Sequence, residues 1–178
     1  MSEFRVVEGR PSHPVTTSDE RTWAALAHIS TLLTLLVGIA SAGIGGLLLV
    51  FLPLAIYLSY KDRSPYVAYH AAQAFALQIV VTAGFLAAIL AAVAVLVAVW
   101  LITALLIVIL IGLILIPIAL LLTLLVVFVL IAMPFVIGGF SIAATVQTAN
   151  GVDYEYPYLG RWVRDWLARS GAPSAPAV

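Results

Sequence analysis

Charge is what this sequence lacks most. Only 9% of its 178 residues are Asp, Glu, Lys or Arg, against about 25% in ordinary soluble domains, and none lies between Arg63 and Asp153. The 89 residues of that run, Ser64–Val152, are almost all Ala, Val, Leu, Ile and Phe. A water-soluble fold needs charge over its surface, and a helix needs roughly 20 apolar residues to cross a bilayer. The chain is therefore an integral membrane protein. Cysteine is absent, which excludes disulfides, thiolate catalysis and thiolate metal sites. A basic excess is also missing: eight Lys and Arg balance eight Asp and Glu, which excludes a nucleic-acid binder of the usual kind. The amino terminus, MSEFRVVEGRPSHPVTTSDE, has no apolar core such as a cleavable secretory signal needs, and Glu3, Glu8, Asp19 and Glu20 argue against an organelle transit peptide. The first membrane segment is expected to serve as its own uncleaved signal.

What is present organises the chain. Residues 1–17 and the tail 170–178 are rich in Pro, Ser and small residues and are predicted to be disordered, the first on the cytoplasmic side. Thr17-x-x-Glu20 has the form of a capping box, so a helix should begin near Ser18. The 39 uncharged residues from Thr22 to Tyr60 hold two minimal spans, at about 20–37 and 44–60, if the Gly-rich stretch Gly38–Gly46 is the turn. Trp23, Tyr57 and Tyr60 then meet at one membrane interface, where amphipathic rings prefer to sit. Pro65 suits the first turn of the next helix because its missing N–H would be an orphan there.

All Lys and Arg lie in three places: Arg5, Arg10 and Arg21; Lys61 and Arg63; Arg161, Arg164 and Arg169. The positive-inside rule puts all three groups in the cytoplasm, which requires an even number of crossings on either side of the 61–65 loop. We predict an all-α, polytopic protein with four transmembrane helices and both termini cytoplasmic in a bacterial cell membrane; six spans is the alternative. The third and fourth spans fall at about 66–98 and 118–149, within a transmembrane domain of residues 18–157. Residues 99–117 form an apolar extension or connection, the excess length being taken up by tilt, by kinks at Pro117 and Pro134, or on the outer side. Asn150-Gly151 reads as a helix C-cap. Within 158–169, Leu159, Trp162, Val163, Trp166 and Leu167 share one helical face opposite Arg161, Arg164, Asp165 and Arg169. That pattern predicts an amphipathic helix in the membrane interface, with Trp162 and Trp166 as anchors and Arg161, Arg164 and Arg169 toward lipid phosphates; the alternative packs it on the protein's own cytoplasmic loops.

The spans hold no charge, so a pump or ion-coupled transporter of familiar type is not expected. His28 and His70 each lie seven residues past an arginine, roughly 10 Å along their helices. Gln73, Gln78, Gln147 and Asn150 extend the polar edge, and this set predicts an interhelical hydrogen-bonding cluster. No His pair has a recognised metal-ligand spacing, no serine has a nucleophile context, and no intramembrane carboxylate orients a histidine, so we expect no catalytic residue, metal or cofactor. Gly84, Ala88 and Ala92 recur every four residues and allow another helix to approach closely.

Three stretches carry a resemblance: Ser18–His28 (SDERTWAALAH), Tyr60–Ala74 (YKDRSPYVAYHAAQA) and Asn150–Pro157 (NGVDYEYP). Their order and spacing around four apolar segments resemble the small bacterial membrane proteins grouped with the chloroplast inner-envelope import component, the Tic-twenty-like family. The resemblance implies four transmembrane helices with both termini on one side. It also implies a relation to protein translocation. The leading expectation is a non-enzymatic subunit or scaffold of a membrane assembly, whose partners are the lipid bilayer and other membrane proteins or further copies of itself, with no nucleic acid or small-molecule substrate. The alternatives are a pore or conduit component related to protein import, and a membrane enzyme using His28 and His70.

Overall fold

The computed structural model describes residues 4–7, 10–14 and 16–170. Its elements are β1 (Phe4–Val7), β2 (Arg10–Pro14), α1 (Ser18–Ala40), α2 (Ile44–Leu49), α3 (Leu52–Tyr60), α4 (Pro65–Ile107), α5 (Ile111–Ala149) and α6 (Leu159–Arg169). The fold is helical except where disorder is predicted near the amino terminus. There β1 and β2 pair antiparallel, with Phe4 opposite Pro14 and Val7 opposite Arg10; the adjacent Val6 and Val7 supply the β-branched preference for an extended chain. Of the carboxy-terminal tail, residues 171–178 lie outside the described residues.

Helices α1, α4 and α5 are each long and apolar enough to cross a membrane. The capping box that starts α1 is complete: the Glu20 N–H donates to the Thr17 hydroxyl at 3.2 Å, and the Glu20 carboxylate accepts from the Thr17 N–H at 2.9 Å. The other oxygen of Glu20 accepts from Ser64 at 2.7 Å, and the Ser64 hydroxyl in turn accepts the N–H of Val67 at 3.3 Å. One carboxylate thus ties the start of α1 to the start of α4.

The chain divides into two compact units, residues 1–80 with 138–178, and residues 81–137. In the first, α1 continues past the predicted end of its span to Ala40, and the turn is confined to residues 41–43, with Gly43 at φ +96°. Gly38 and Gly46 are contact residues instead. A Cβ on Gly46 would lie 2.9 Å from the Gly38 Cα and 3.1 Å from the Thr34 carbonyl, so α2 returns along α1 at the distance of bare backbone. The predicted span over 44–60 is one apolar helical stretch, Ile44–Tyr60, with an irregular break at Val50 and Phe51 between α2 and α3. Pro53 explains the break: it has no N–H for the Leu49 carbonyl, and its ring crowds that carbonyl. Beyond it, Ile56 joins Ala24 and Ala27 of α1 and Val67, Ala71 and Ala74 of α4 in one buried cluster. The alanines allow three helices to meet closely. Trp23 and Tyr60, predicted to share an interface, pack together with ring centroids 5.4 Å apart and the planes tilted by 41°.

In the second unit, α4 runs on to Ile107 and α5 starts at Ile111, so residues 99–117 are helix ends and a short turn, not a separate connection. Nothing in 99–107 breaks a helix, which is why α4 does not stop. The region after Arg63 contains two long helices, not the four that six spans would need. Gly112 makes the turn possible, since a Cβ there would lie 2.3 Å from the Thr103 carbonyl and 2.4 Å from the Ile107 nitrogen. Leu110, by contrast, sits at φ +63°, a conformation that costs an L side chain about 1–2 kcal/mol. Leu110→Gly is therefore expected to stabilise the protein by about 0.5–1 kcal/mol after the added freedom of the unfolded chain is counted, read as a rise in melting temperature in detergent; no rise would contradict a strained turn. Further along the hairpin the Trp100 indole donates to the Thr123 hydroxyl at 3.2 Å. Helix α5 continues through Pro117 and Pro134.

Candidate functional site

The polar residues of the first unit converge where α1, α4 and the segment after α5 meet. That segment is turned back by the predicted cap. Gly151 adopts φ +77°, its N–H donates to Thr148 at 3.0 Å, and the Val152 N–H donates to Gln147 at 3.0 Å. These two bonds are the pair that closes a helix through a left-handed glycine. Residues 152–156 then run back against α1 and α4.

His28 and His70 lie fully buried at the centre. His28 Nδ1 is 3.1 Å from the Tyr156 hydroxyl, His28 Nε2 is 3.2 Å from His70 Nδ1, and His70 Nε2 faces the Asp153 carboxylate at 3.5 Å. With both rings neutral, one proton arrangement satisfies this chain. Asp153 can only accept, so His70 carries its proton on Nε2; His28 then donates from its own Nε2, and Tyr156 donates to His28 Nδ1. The tautomers follow from that network. Tyr66, Tyr69 and Tyr154 pack edge-on around the two imidazoles, with centroids 4.5 Å, 5.4 Å and 6.3 Å from the histidine each one meets.

Gln73 holds the returning segment by its backbone. Its amide oxygen accepts the Tyr156 N–H at 3.2 Å, and its amide nitrogen donates to the Tyr154 carbonyl at 3.2 Å, as a neighbouring strand would. Tyr66 donates to the Thr148 carbonyl at 3.1 Å, and Ser141 of α5 donates to the His28 carbonyl at 2.5 Å. Gln78 lies deeper on α4 and meets the Ser30 hydroxyl of α1 at 3.0 Å in either orientation of its amide.

The predicted polar set is thus divided. His28, His70 and Gln73 come together, and Gln78 joins the same two helices one level further in. Gln147 and Asn150 are exposed: Gln147 acts through its carbonyl in the cap, and the Asn150 amide donates to the Val146 carbonyl at 2.8 Å. The predicted cluster did not include Tyr156, Tyr66 or Ser141, nor Asp153, although Asp153 stands near the same cytoplasmic face in the sequence. A signal existed in the run Asp153–Pro157, unusually rich in tyrosine and carboxylate directly after a cap.

Helix α6, predicted to lie in the membrane interface with its apolar face down, packs part of that face on protein. Val163 and Leu167 are buried against Tyr69 and Ala72 of α4, because two small residues, Ala72 and Ala76, leave room for a helix there. Trp162 and Trp166 stay 56% and 42% exposed. Arg161 and Arg169 are exposed, whereas Arg164 pairs with Glu155.

Burial first, and then the neighbouring Tyr154, pushes the Tyr156 hydroxyl well above the ordinary tyrosine value of about 10. The folded state therefore holds this proton more tightly than the unfolded state. Its stabilising effect is complete below about pH 10 and is lost as pH rises through the folded value. Tyr156→Phe should flatten the alkaline fall in melting temperature between pH 9 and 11; an unchanged slope would show that Tyr156 does not set it.

Among the described residues no group of three or more His, Cys, Asp or Glu is disposed to hold a metal ion. What the arrangement does chemically is join three segments by hydrogen bonds around two fully buried imidazoles, with the Asp153 carboxylate at the partly exposed edge.

No curated protein and no solved structure matches the chain. Residues 19–163 match the MamF/MmsF family, described as the magnetosome magnetite crystal formation protein family. This overturns the Tic-twenty-like resemblance and leaves a conduit for protein import without support. The stretches that carried the resemblance are those that cap helices and build the histidine site, so they report how helices are joined and not what the protein acts upon. Since the match covers most of its length, the chain belongs to the magnetosome magnetite crystal formation protein family.

Proposed function

We propose that this chain is a non-enzymatic scaffold of a magnetosome membrane, associating with other membrane proteins or with further copies of itself in the assembly on which magnetite crystals form. The family supplies the setting. The observation that carries the scaffold role is the length of α4 and α5. At 43 and 39 residues they extend about 64 and 58 Å, against about 30 Å of hydrocarbon. Tilt alone would have to reach about 60° to absorb α4, beyond the 0–40° that spans take. Their shared unit is uncharged and its large side chains are exposed, Leu105 at 74% and Leu121 at 69%. Apolar surface in excess of one crossing is covered by protein.

A non-enzymatic role fits the histidine site, whose rings are fully buried and engaged with each other, Tyr156 and Asp153. Neither ring presents an edge to solvent. Four crossings with both ends cytoplasmic fit the three basic groups, α2 and α3 together making the second crossing. A membrane-impermeant maleimide should then label Lys61→Cys and Arg161→Cys from one side and Ala42→Cys from the other; labelling of Lys61→Cys and Arg161→Cys from opposite sides would overturn this topology.

The functional test is deletion in a magnetite-forming host. Crystals of altered size, number or shape, restored by the full chain, are expected. Unaltered crystals would contradict the proposal.

A further inference from the structure

We infer that a groove on the first unit binds an anionic phospholipid, one acyl chain lying between α3, α4 and α6 and the phosphate resting at Lys61 and Arg169. The groove has a volume of about 360 Å³, within the range of ligand pockets, about 300–1,000 Å³. Its floor is Ala72 and Ala76 of α4, whose small side chains create the hollow, and Leu54, Ile79 and Val80 close its deep end. Its other end is amphipathic. Tyr57, Trp162 and Trp166 line it there, with the Tyr57 and Trp166 rings 6.4 Å apart. Among the described residues none of these three side chains donates a hydrogen bond to another, so their O–H and N–H groups are available at the level where such rings meet headgroups.

The direction of this polarity identifies the occupant. Tyr57 lies one helical turn before Lys61, whereas Val80 lies about 22 Å along α4 from Pro65. The groove therefore runs from a charged loop into the apolar body of a membrane helix, as a phospholipid does. Charge completes the match. The exposed groups of the 61–63 loop and of α6 are Lys61, Arg63, Arg161 and Arg169 against Asp62 and Asp165, while Arg164 is neutralised by Glu155. Arg169 lies three residues past Trp166, on the same exposed edge of α6. Among the described residues none of the four exposed cations forms an ion pair.

The test uses the full chain in phosphatidylcholine nanodiscs, with Trp23→Phe and Trp100→Phe so that Trp162 and Trp166 are the only indoles. Phosphatidylglycerol with brominated acyl chains, which quenches indoles on contact, should act at about threefold to tenfold lower mole fraction than brominated phosphatidylcholine. Lys61→Gln with Arg169→Gln should remove that preference, and Ala76→Phe, which fills the floor, should weaken quenching by both lipids. Equal quenching by the two lipids in the parent chain would overturn the proposal whether or not the variants fold. So would quenching that Ala76→Phe leaves unchanged, or protection from both lipids that is relieved by dilution, the behaviour of a second copy in the groove.

Discussion

His70→Ala is expected to destabilise the folded protein by about 2–4 kcal/mol, among the largest effects of any single substitution in this chain. The histidine is fully buried, accepts from His28 and faces Asp153. Its removal leaves the His28 Nε2–H without an acceptor and a partly buried carboxylate without its imidazole, and it opens a cavity beneath Tyr66 and Tyr69. The first and last of these changes cost free energy without a compensating one, because His28 is fully buried; the carboxylate, 23% exposed, recovers part of its loss from water. Asp153→Asn keeps an acceptor at the same place and should cost much less. His28→Ala and the double variant complete a cycle, in which a coupling of about 0.5–3 kcal/mol is expected for contacting groups. The readout is the melting temperature in detergent. Additive effects would mean that the two histidines do not act through each other.

The second large effect is expected at Gly46. Gly46→Val would put a branched side chain where even a Cβ lies 2.9 Å from the Gly38 Cα and 3.1 Å from the Thr34 carbonyl. Both neighbours are backbone, so neither can swing aside. The α1–α2 hairpin has to open, at about 2–3 kcal/mol or more, and α3 loses its position in the alanine cluster. Gly38→Ala is the control: its Cβ would meet Gly46 at an ordinary 3.7 Å, and it should be nearly neutral. Comparable losses of melting temperature for the two variants would contradict a contact this one-sided.

Much of the architecture was legible where a single residue dictates local geometry. Thr17 with Glu20, Pro65 and Gly151 each announced a helix end, because a cap or a missing N–H depends on neighbours within a few residues. Membrane residence was equally plain from the uncharged run. The breaks were harder. Pro53 divides the stretch 44–60, yet a proline within an apolar segment often only kinks a membrane helix. The turn at residues 108–110 gave no signal in the sequence, because Gly112 acts by admitting the Thr103 carbonyl, a contact invisible in the linear order.

The site followed the same division. His28, His70 and Gln73 could be placed together because helical rise measures depth from a known charged boundary. Gln147 shares that depth and still points away, since depth does not fix azimuth. Tyr156 was missed, and Asp153 was not joined to the histidines, because both reach them from an irregular segment, for which no periodicity exists. The face of α6 divided for a related reason: amphipathicity states which residues avoid water, and both lipid and the alanine surface of α4 satisfy that demand.

The scaffold role stands or falls on whether the apolar hairpin of residues 81–137 touches other protein. The native chain has no cysteine, so Leu105→Cys and Leu121→Cys can be crosslinked with a short bismaleimide in native membranes. Adducts joining this chain to a second copy or to another membrane protein are predicted from at least one of the two positions. Recovery of monomer alone from both, at reagent levels that label each cysteine fully, would contradict the account.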